Sequence, residues 1–148
     1  TQTKGEASMR PFTQHIVMTE FDRHRLQGML HVLRKRSGVN AWSLDALETE
    51  LARAHVVSPQ QIPATVVTMN SRVRLRDLDT GVVLVVALAF PAGGAAQDAS
   101  VPVLSPLGLA LLGCREGDVM EWRTRQGPRR LRVDAVVYQP EAAGDYFM

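Results

Sequence analysis

The stretch 103–113 constrains the fold more than any other part of the chain. It reads VLSPLGLALLG, and this order indicates a strand, a tight Ser-Pro entry and one short apolar helix. Ser105 can cap the first helical turn, Pro106 has the fixed φ of a first helical residue, and Gly113 suits the left-handed position after a helix. A Gly-Asp pair a few residues later predicts a turn into another strand. No catalytic motif, metal-ligand set or phosphate-binding loop occurs in this stretch, so it favours a binding domain over an enzyme.

The composition is typical of a globular protein in a reducing compartment. The chain has 148 residues, of which 45% are hydrophobic and 5% aromatic, and this suits one domain with a core of Val, Leu and Ala. No apolar run approaches the roughly 20 residues of a membrane-spanning helix, and the first residues lack a secretory pattern. The single cysteine, Cys114, cannot form an internal disulfide. We therefore expect a cytoplasmic protein that does not bind a membrane.

The charge pattern predicts neither a cofactor nor a nucleic-acid site. The formal net charge is +2, which is too small to indicate sequence-specific nucleic-acid binding. Basic residues cluster at 23–36 and 123–132, where they could meet phosphates or an acidic partner. Helix dipoles and the need for soluble hairpin edges also explain them. The four histidines and the cysteine do not have the spacing of a zinc site.

Residues 15–58 are predicted to form an antiparallel hairpin of two helices, a short coiled coil. Thr19 is a suitable N-cap for the first helix and Ser43 for the second, and Ser58-Pro59 is expected to end the second helix. Apolar residues recur at helical spacing in both segments, so the two stripes should pack together. These residues are Phe21, Leu26, Met29, Leu30 and Leu33, then Leu44, Leu47, Leu51 and Ala54.

The segments that flank the hairpin are predicted to lack regular structure. Residues 1–14 begin with small polar residues and are expected to be disordered or non-native. Two prolines bracket residues 59–63, which are expected to form a linker. From residue 64 to residue 148 the pattern changes to strands, so these residues should form the second domain.

The pattern predicts five strands around the short helix. Arginines alternate with apolar residues from 72 to 76, which indicates a strand with one solvated face, and Asp79-Thr80-Gly81 indicates a hairpin turn. The almost wholly apolar run 82–90 predicts a strand buried on both faces or packed beneath the helix. Residues 91–98 should be a variable surface loop, residues 100–104 a third strand, and 119–137 a final hairpin.

Several strings in this order resemble a known family. The strings SPLGLALLG…GD, VMEW and LRVDAVVY look like the C-terminal domain of the Gre-type transcript cleavage factors. Inside that superfamily VVTMNSRV and YQPEAAGD are similar to the regulator of nucleoside diphosphate kinase family. The resemblance covers residues 44–148 well and residues 15–43 loosely.

The resemblance implies an α+β architecture, in which the helical hairpin precedes an FK506-binding-protein-like antiparallel sheet curled over one short helix. It implies a transcription accessory protein that is not an enzyme, needs no cofactor, and binds RNA polymerase near its secondary channel. There it would compete with Gre factors without stimulating transcript cleavage. Ser105 and Pro106 match a docking loop of the Gre factors, although Leu104 stands where an acidic residue often precedes them.

Asp45 and Glu48 resemble the acidic pair at the tip of the Gre coiled coil, which helps to hold a second metal ion in the polymerase active centre. Hard cations accept carboxylate oxygens, but acids at the start of a helix also offset its dipole. At 1.5 Å per residue the predicted hairpin is only about 20–25 Å long. The coiled coil of the Gre factors it resembles is much longer, so the tip of this hairpin is not expected to reach the catalytic metal. Two alternatives stay open: a cleavage-stimulating factor that acts through these acids, and a module that binds a different protein.

Overall fold

The computed structural model of the chain describes residues 16–91 and 99–146. The predictions for residues 1–14 and for most of the 91–98 loop lie outside these residues. In chain order the elements are β1 (Val17–Thr19), α1 (Glu20–Leu33), α2 (Ala41–Arg53), β2 (His55–Val57), β3 (Arg72–Asp77), β4 (Val83–Ala89), β5 (Ser100–Pro102), α3 (Pro106–Leu111), β6 (Val119–Thr124), β7 (Gly127–Tyr138) and α4 (Pro140–Ala143).

The two predicted helices form the N-terminal hairpin, but only one of the two predicted caps is correct. The hydroxyl oxygen of Thr19 accepts a hydrogen bond of 3.0 Å from the Asp22 amide, as expected for the N-cap of α1. The cap of α2 is Asn40, whose side-chain oxygen accepts from the Trp42 amide at 2.9 Å. Gly38, at φ +85°, reverses the chain early enough for α2 to begin before Ser43, which is buried inside the helix.

A two-stranded parallel sheet closes the base of the hairpin. β1 pairs with β2 in parallel register, from Val17 opposite His55 to Thr19 opposite Val57. Helix α2 therefore ends at Arg53, five residues earlier than the Ser-Pro signal predicted. The strand pairs with residues nearly forty positions away, and such tertiary pairing overrides a local pattern.

The C-terminal half is a mixed sheet of five strands in the order β5-β4-β3-β7-β6. All neighbouring strands are antiparallel except β4 and β5, which are parallel, so the expectation of a wholly antiparallel sheet was wrong for this pair. Helix α3 packs against β5, β6 and α2. Its Leu107 and Leu111 join a core that includes Val73, Leu75 and Val133.

Strand β4 is less buried than its composition predicted. The side chains of Val82, Val83 and Val85 are 57%, 41% and 45% exposed, so the prediction of burial on both faces was wrong. Strand β5 pairs with β4 only from Ala87 to Ala89, which leaves the first half of β4 at an edge of the sheet within the described residues. None of the helices in the described part is long and apolar enough to cross a membrane.

Candidate functional site

The Ser105-Pro106 loop has the geometry that its sequence predicted. The Ser105 hydroxyl accepts a hydrogen bond of 3.0 Å from the Gly108 amide and donates one of 2.7 Å to the Pro102 carbonyl. Pro106 is the first residue of α3 and is exposed, as is Pro102. Since both hydrogen-bonding functions of the serine are used inside the loop, Ser105 shapes the loop, and the proline rings form its exposed surface.

Gly108 lets α3 lie directly on the backbone of β5. A Cβ atom built on Gly108 would be 2.0 Å from the Pro102 carbonyl oxygen and 2.8 Å from Val103 Cα. Gly113 ends the short helix at φ +79°, as predicted, and its missing side chain makes room for Ile16 at the base of the hairpin. The loop is therefore held by close backbone packing, and the base of the hairpin by the close approach of the Ile16 side chain to Gly113.

Asp45 and Glu48 lie close together near the tip, and both pair with Arg34. The Arg34 guanidinium donates to Asp45 Oδ1 at 2.8 Å and also to Glu48 Oε1. Because α2 begins at Ala41, no acid lies in its first turn, and the helix dipole is not the reason for these residues. The two carboxylates are instead the counterions of an arginine at the end of α1, and they stay 69% and 62% exposed.

Three arginines of the second basic cluster form ion pairs with acids. Arg129 pairs with Asp77, Arg130 pairs with Asp79, and Arg132 pairs with Asp134. Asp77 also accepts hydrogen bonds from the amides of the 79–80 turn. Arg129 and Arg130 therefore stabilise the predicted hairpin turn, whereas Arg132 pairs within its own strand β7.

A buried polar junction joins the hairpin to the sheet domain. Asp22 of α1 is fully buried, and its carboxylate accepts hydrogen bonds from the Met69 amide at 3.0 Å and from Arg25 at 2.7 Å. From the other side, Glu141 of α4 accepts a hydrogen bond of 2.7 Å from the Thr68 hydroxyl. The hairpin, the loop before β3 and the C-terminal tail therefore meet at two carboxylates.

Sequence reasoning missed this junction, although a signal was present. Asp22 has the dipole-favoured position of a first-turn acid, but it also lies four and eight residues before Leu26 and Leu30. That spacing places it on the buried face of α1. Glu141 lies in the tail, for which the sequence predicted no specific contact.

Burial changes the titration of both carboxyl groups. Desolvation raises the pKa of Asp22 above its ordinary value of 3.8, although the hydrogen bonds from Arg25 and Met69 act in the opposite direction. Desolvation likewise raises the pKa of Glu141 above 4.5, and the nearby charge of Asp22 raises it further. Each group therefore binds its proton more tightly in the folded chain than in the unfolded chain.

We expect the junction to make the free energy of unfolding depend on pH. The stability that a raised pKa contributes is complete below the unfolded-state pKa and is lost as the pH rises through the folded-state pKa. The wild type should therefore lose stability relative to an Asp22→Asn/Glu141→Gln variant as the pH rises from about 4. Urea unfolding of both proteins across this range measures the difference, in which the titration of all other groups cancels. Parallel stability curves would contradict the expectation.

One further feature of the described residues is open to small molecules. An apolar groove with arginines at its rim lies between α1 and the end of β4, lined by Arg25, Met29, Val32, Leu33, Arg36 and Phe90. In the part of the chain that the structure describes, no three His, Cys, Asp or Glu side chains come together as metal ligands.

Both halves of the chain match known protein families. Residues 14–57 match the family described as Rnk N-terminus, and residues 62–138 match that described as Transcription elongation factor, GreA/GreB, C-term. The regulator of nucleoside diphosphate kinase of Escherichia coli K12 is 47% identical over 105 residues, which are 70% of this chain and 77% of that protein. The transcription inhibitor protein Gfh1 of Thermus aquaticus is 35% identical over 95 residues, which are 63% of this chain and 59% of that protein.

A solved structure supports the same assignment. A prokaryotic transcription elongation factor GreA/GreB from Nitrosomonas europaea superposes with a TM-score of 0.71 at 36% identity, over 84% of this chain and 99% of the other. A helical hairpin on a curled mixed sheet with one short helix is thus the architecture of a Gre-type transcription factor. The chain belongs to the regulator of nucleoside diphosphate kinase family within the GreA/GreB superfamily, a family of non-catalytic regulators.

Proposed function

We propose that this chain is an RNA polymerase-binding regulator that occupies the mouth of the secondary channel and competes there with Gre factors. It is not an enzyme and does not stimulate transcript cleavage. The kinship with GreA elongation factors and with a transcription inhibitor protein supports this class of function. Any influence on nucleoside diphosphate kinase follows indirectly, through transcription.

The observation that carries the proposal is the short length of the hairpin together with the ion pairing of the acids near its tip. Helix α2 has 13 residues, which correspond to a length of about 20 Å. The two acids that would hold a metal ion are paired with Arg34, one turn below the tip. The hairpin is short, and its two carboxylates already pair with a guanidinium group. These two properties support a hairpin that occupies the channel mouth, and they argue against one that carries acids to a distant active centre.

Docking is assigned to the surface around Pro106. Replacing Pro106 with glutamate keeps the helix start, because an acid is favourable at the first turn, but it removes an exposed ring from the loop. We expect the Pro106→Glu protein to melt like the wild type and to bind core RNA polymerase at least ten times more weakly. Gln60→Glu makes the same charge change at another exposed turn and should bind like the wild type.

The decisive measurement is binding to core polymerase in competition with a Gre factor, with transcript cleavage measured in the same reaction. Competition without cleavage, retained by an Asp45→Asn/Glu48→Gln variant, is the expected result. Cleavage that requires Asp45 and Glu48 would instead identify a cleavage factor. Absence of polymerase binding at micromolar concentration would instead indicate a module that binds a different protein.

A further inference from the structure

One face of the sheet is exposed and rich in arginine. Residues alternate along β3, so that Val73 and Leu75 lie fully buried in the core while Arg72, Arg74 and Arg76 project from the opposite face. The antiparallel register places Val85 beside Arg74 and Val83 beside Arg76. On the other side, Arg132 of β7 lies opposite Arg76. We call this surface the arginine face; it comprises Arg72, Arg74, Arg76, Arg132, Val83 and Val85.

The arginine face has more positive than negative charge. Asp134 accepts from Arg76 at 2.8 Å and from Arg132 at 2.7 Å, so one carboxylate serves two guanidinium groups. The Arg72 guanidinium lies 5.9 Å from the centre of the Tyr138 ring. The side chain of Arg74, at the centre, makes no hydrogen bond or ion pair within residues 16–91 and 99–146. The face is therefore complementary to an anionic surface.

The exposed valines indicate that the partner carries apolar side chains as well as acidic ones. Val83 and Val85 are 41% and 45% exposed, and they lie directly beside the arginines. Grouped exposed apolar side chains are typical of interaction surfaces. An occupant that carries carboxylates and apolar side chains would satisfy both parts at once.

The side chains of the arginine face favour a protein partner over single-stranded nucleic acid. Surfaces that bind single strands depend on aromatic rings on which bases stack. Among the described side chains of β3, β4 and β7 the one aromatic ring is that of Tyr138. The Arg72 guanidinium lies over this ring, and the Tyr138 hydroxyl donates to Asp145. Valine side chains offer contact area but no stacking platform.

We propose that the arginine face docks an acidic segment of a partner protein, with carboxylates on Arg72 and Arg74 and apolar side chains on Val83 and Val85. The inference rests on the proposed function in taking RNA polymerase as the protein that supplies the segment. It adds a second contact to the Pro106 surface. Because exposed charges contribute to the contact, its strength falls as salt is added.

The test compares Arg74→Glu with Arg115→Glu, which reverses an exposed charge outside the hairpin, the Pro106 loop and the arginine face. Both proteins should melt like the wild type. We expect Arg74→Glu to bind core polymerase at least ten times more weakly at low salt, and Arg115→Glu to change binding less than threefold. Equal binding by Arg74→Glu and the wild type would overturn the inference while the proposed function stood.

A second arm tests the face without polymerase. Amide resonances of the ¹⁵N-labelled chain are followed during titration with a synthetic peptide of alternating glutamate and valine. Glutamine-valine peptide and single-stranded oligouridine serve as controls. Shifts at β3, β4 and β7 caused by the acidic peptide alone, and lost in Arg74→Glu, support the proposal even if the wild type fails to bind polymerase. Shifts caused by oligouridine alone, or by no ligand at millimolar concentration, would overturn it.

Discussion

Replacing Gly108 with alanine is expected to lower the free energy of unfolding by about 3 kcal/mol, because the new methyl group overpacks a rigid contact. Its Cβ would stand 2.0 Å from the Pro102 carbonyl oxygen and 2.8 Å from the carbonyl carbon. These are backbone atoms of β5, so they cannot move aside as the end of a side chain would. Helix α3 would have to shift away from the strand, and the Ser105 cap would shift with it.

Urea unfolding of Gly108→Ala measures this effect, and Gly28→Ala provides the control. A Cβ on Gly28 meets no atom within 4 Å among the described residues, and alanine is the better helix former by up to about 1 kcal/mol. Gly28→Ala should therefore unfold at equal or higher urea concentration. A Gly108→Ala protein as stable as the wild type would show that α3 does not depend on this close approach.

Replacing Asp22 with alanine is the second large change, with an expected loss of about 3 kcal/mol in the free energy of unfolding. The substitution leaves the Met69 amide without its buried acceptor and deprives Arg25 of its carboxylate. The Met69 amide stays buried when the acid is removed, and burying a polar group without a partner is costly. Chemical unfolding of the purified variant measures the loss.

Two companion variants separate the buried acceptor from the charge. Asp22→Asn keeps an oxygen for the Met69 amide, and since burial penalises the Asp22 charge, it should lose roughly 1 kcal/mol or less. Asp45→Ala removes an exposed carboxylate at the hairpin tip and should unfold like the wild type. If Asp22→Ala were as stable as Asp45→Ala, the junction would not stabilise the fold.

The junction also connects stability to the proposed function. Asp22 fixes the start of α1 to the loop before β3, and Glu141 fixes the same loop to the tail. Together with the packing of Ile16 at Gly113, these contacts set the angle at which the hairpin leaves the sheet. A regulator that docks through the sheet domain and blocks a channel with its hairpin needs that angle to be constant.

Local signals in the sequence predicted much of the architecture. Thr19, Ser105 and Pro106 predicted two helix starts, and Gly113 predicted a helix end, because capping and positive φ depend on residues a few positions apart. The alternation of arginine with Val73 and Leu75 predicted both the strand and its exposed face. These features need no knowledge of distant residues.

The sequence by itself thus determined the helical hairpin, the strand-rich second half, the short capped helix and, through its motifs, the family. Only the tertiary structure decided that β1 and β2 pair in parallel, that β4 is exposed along its first half, and that Asn40 displaces Ser43 as a cap. It alone brought Arg34 to Asp45 and Glu48, and Asp22 to the loop that Glu141 also contacts. The physical reason is that each of these features depends on contacts between residues that are distant in the sequence. Such contacts determine which strands pair, which side chains are buried and which charges find a counterion.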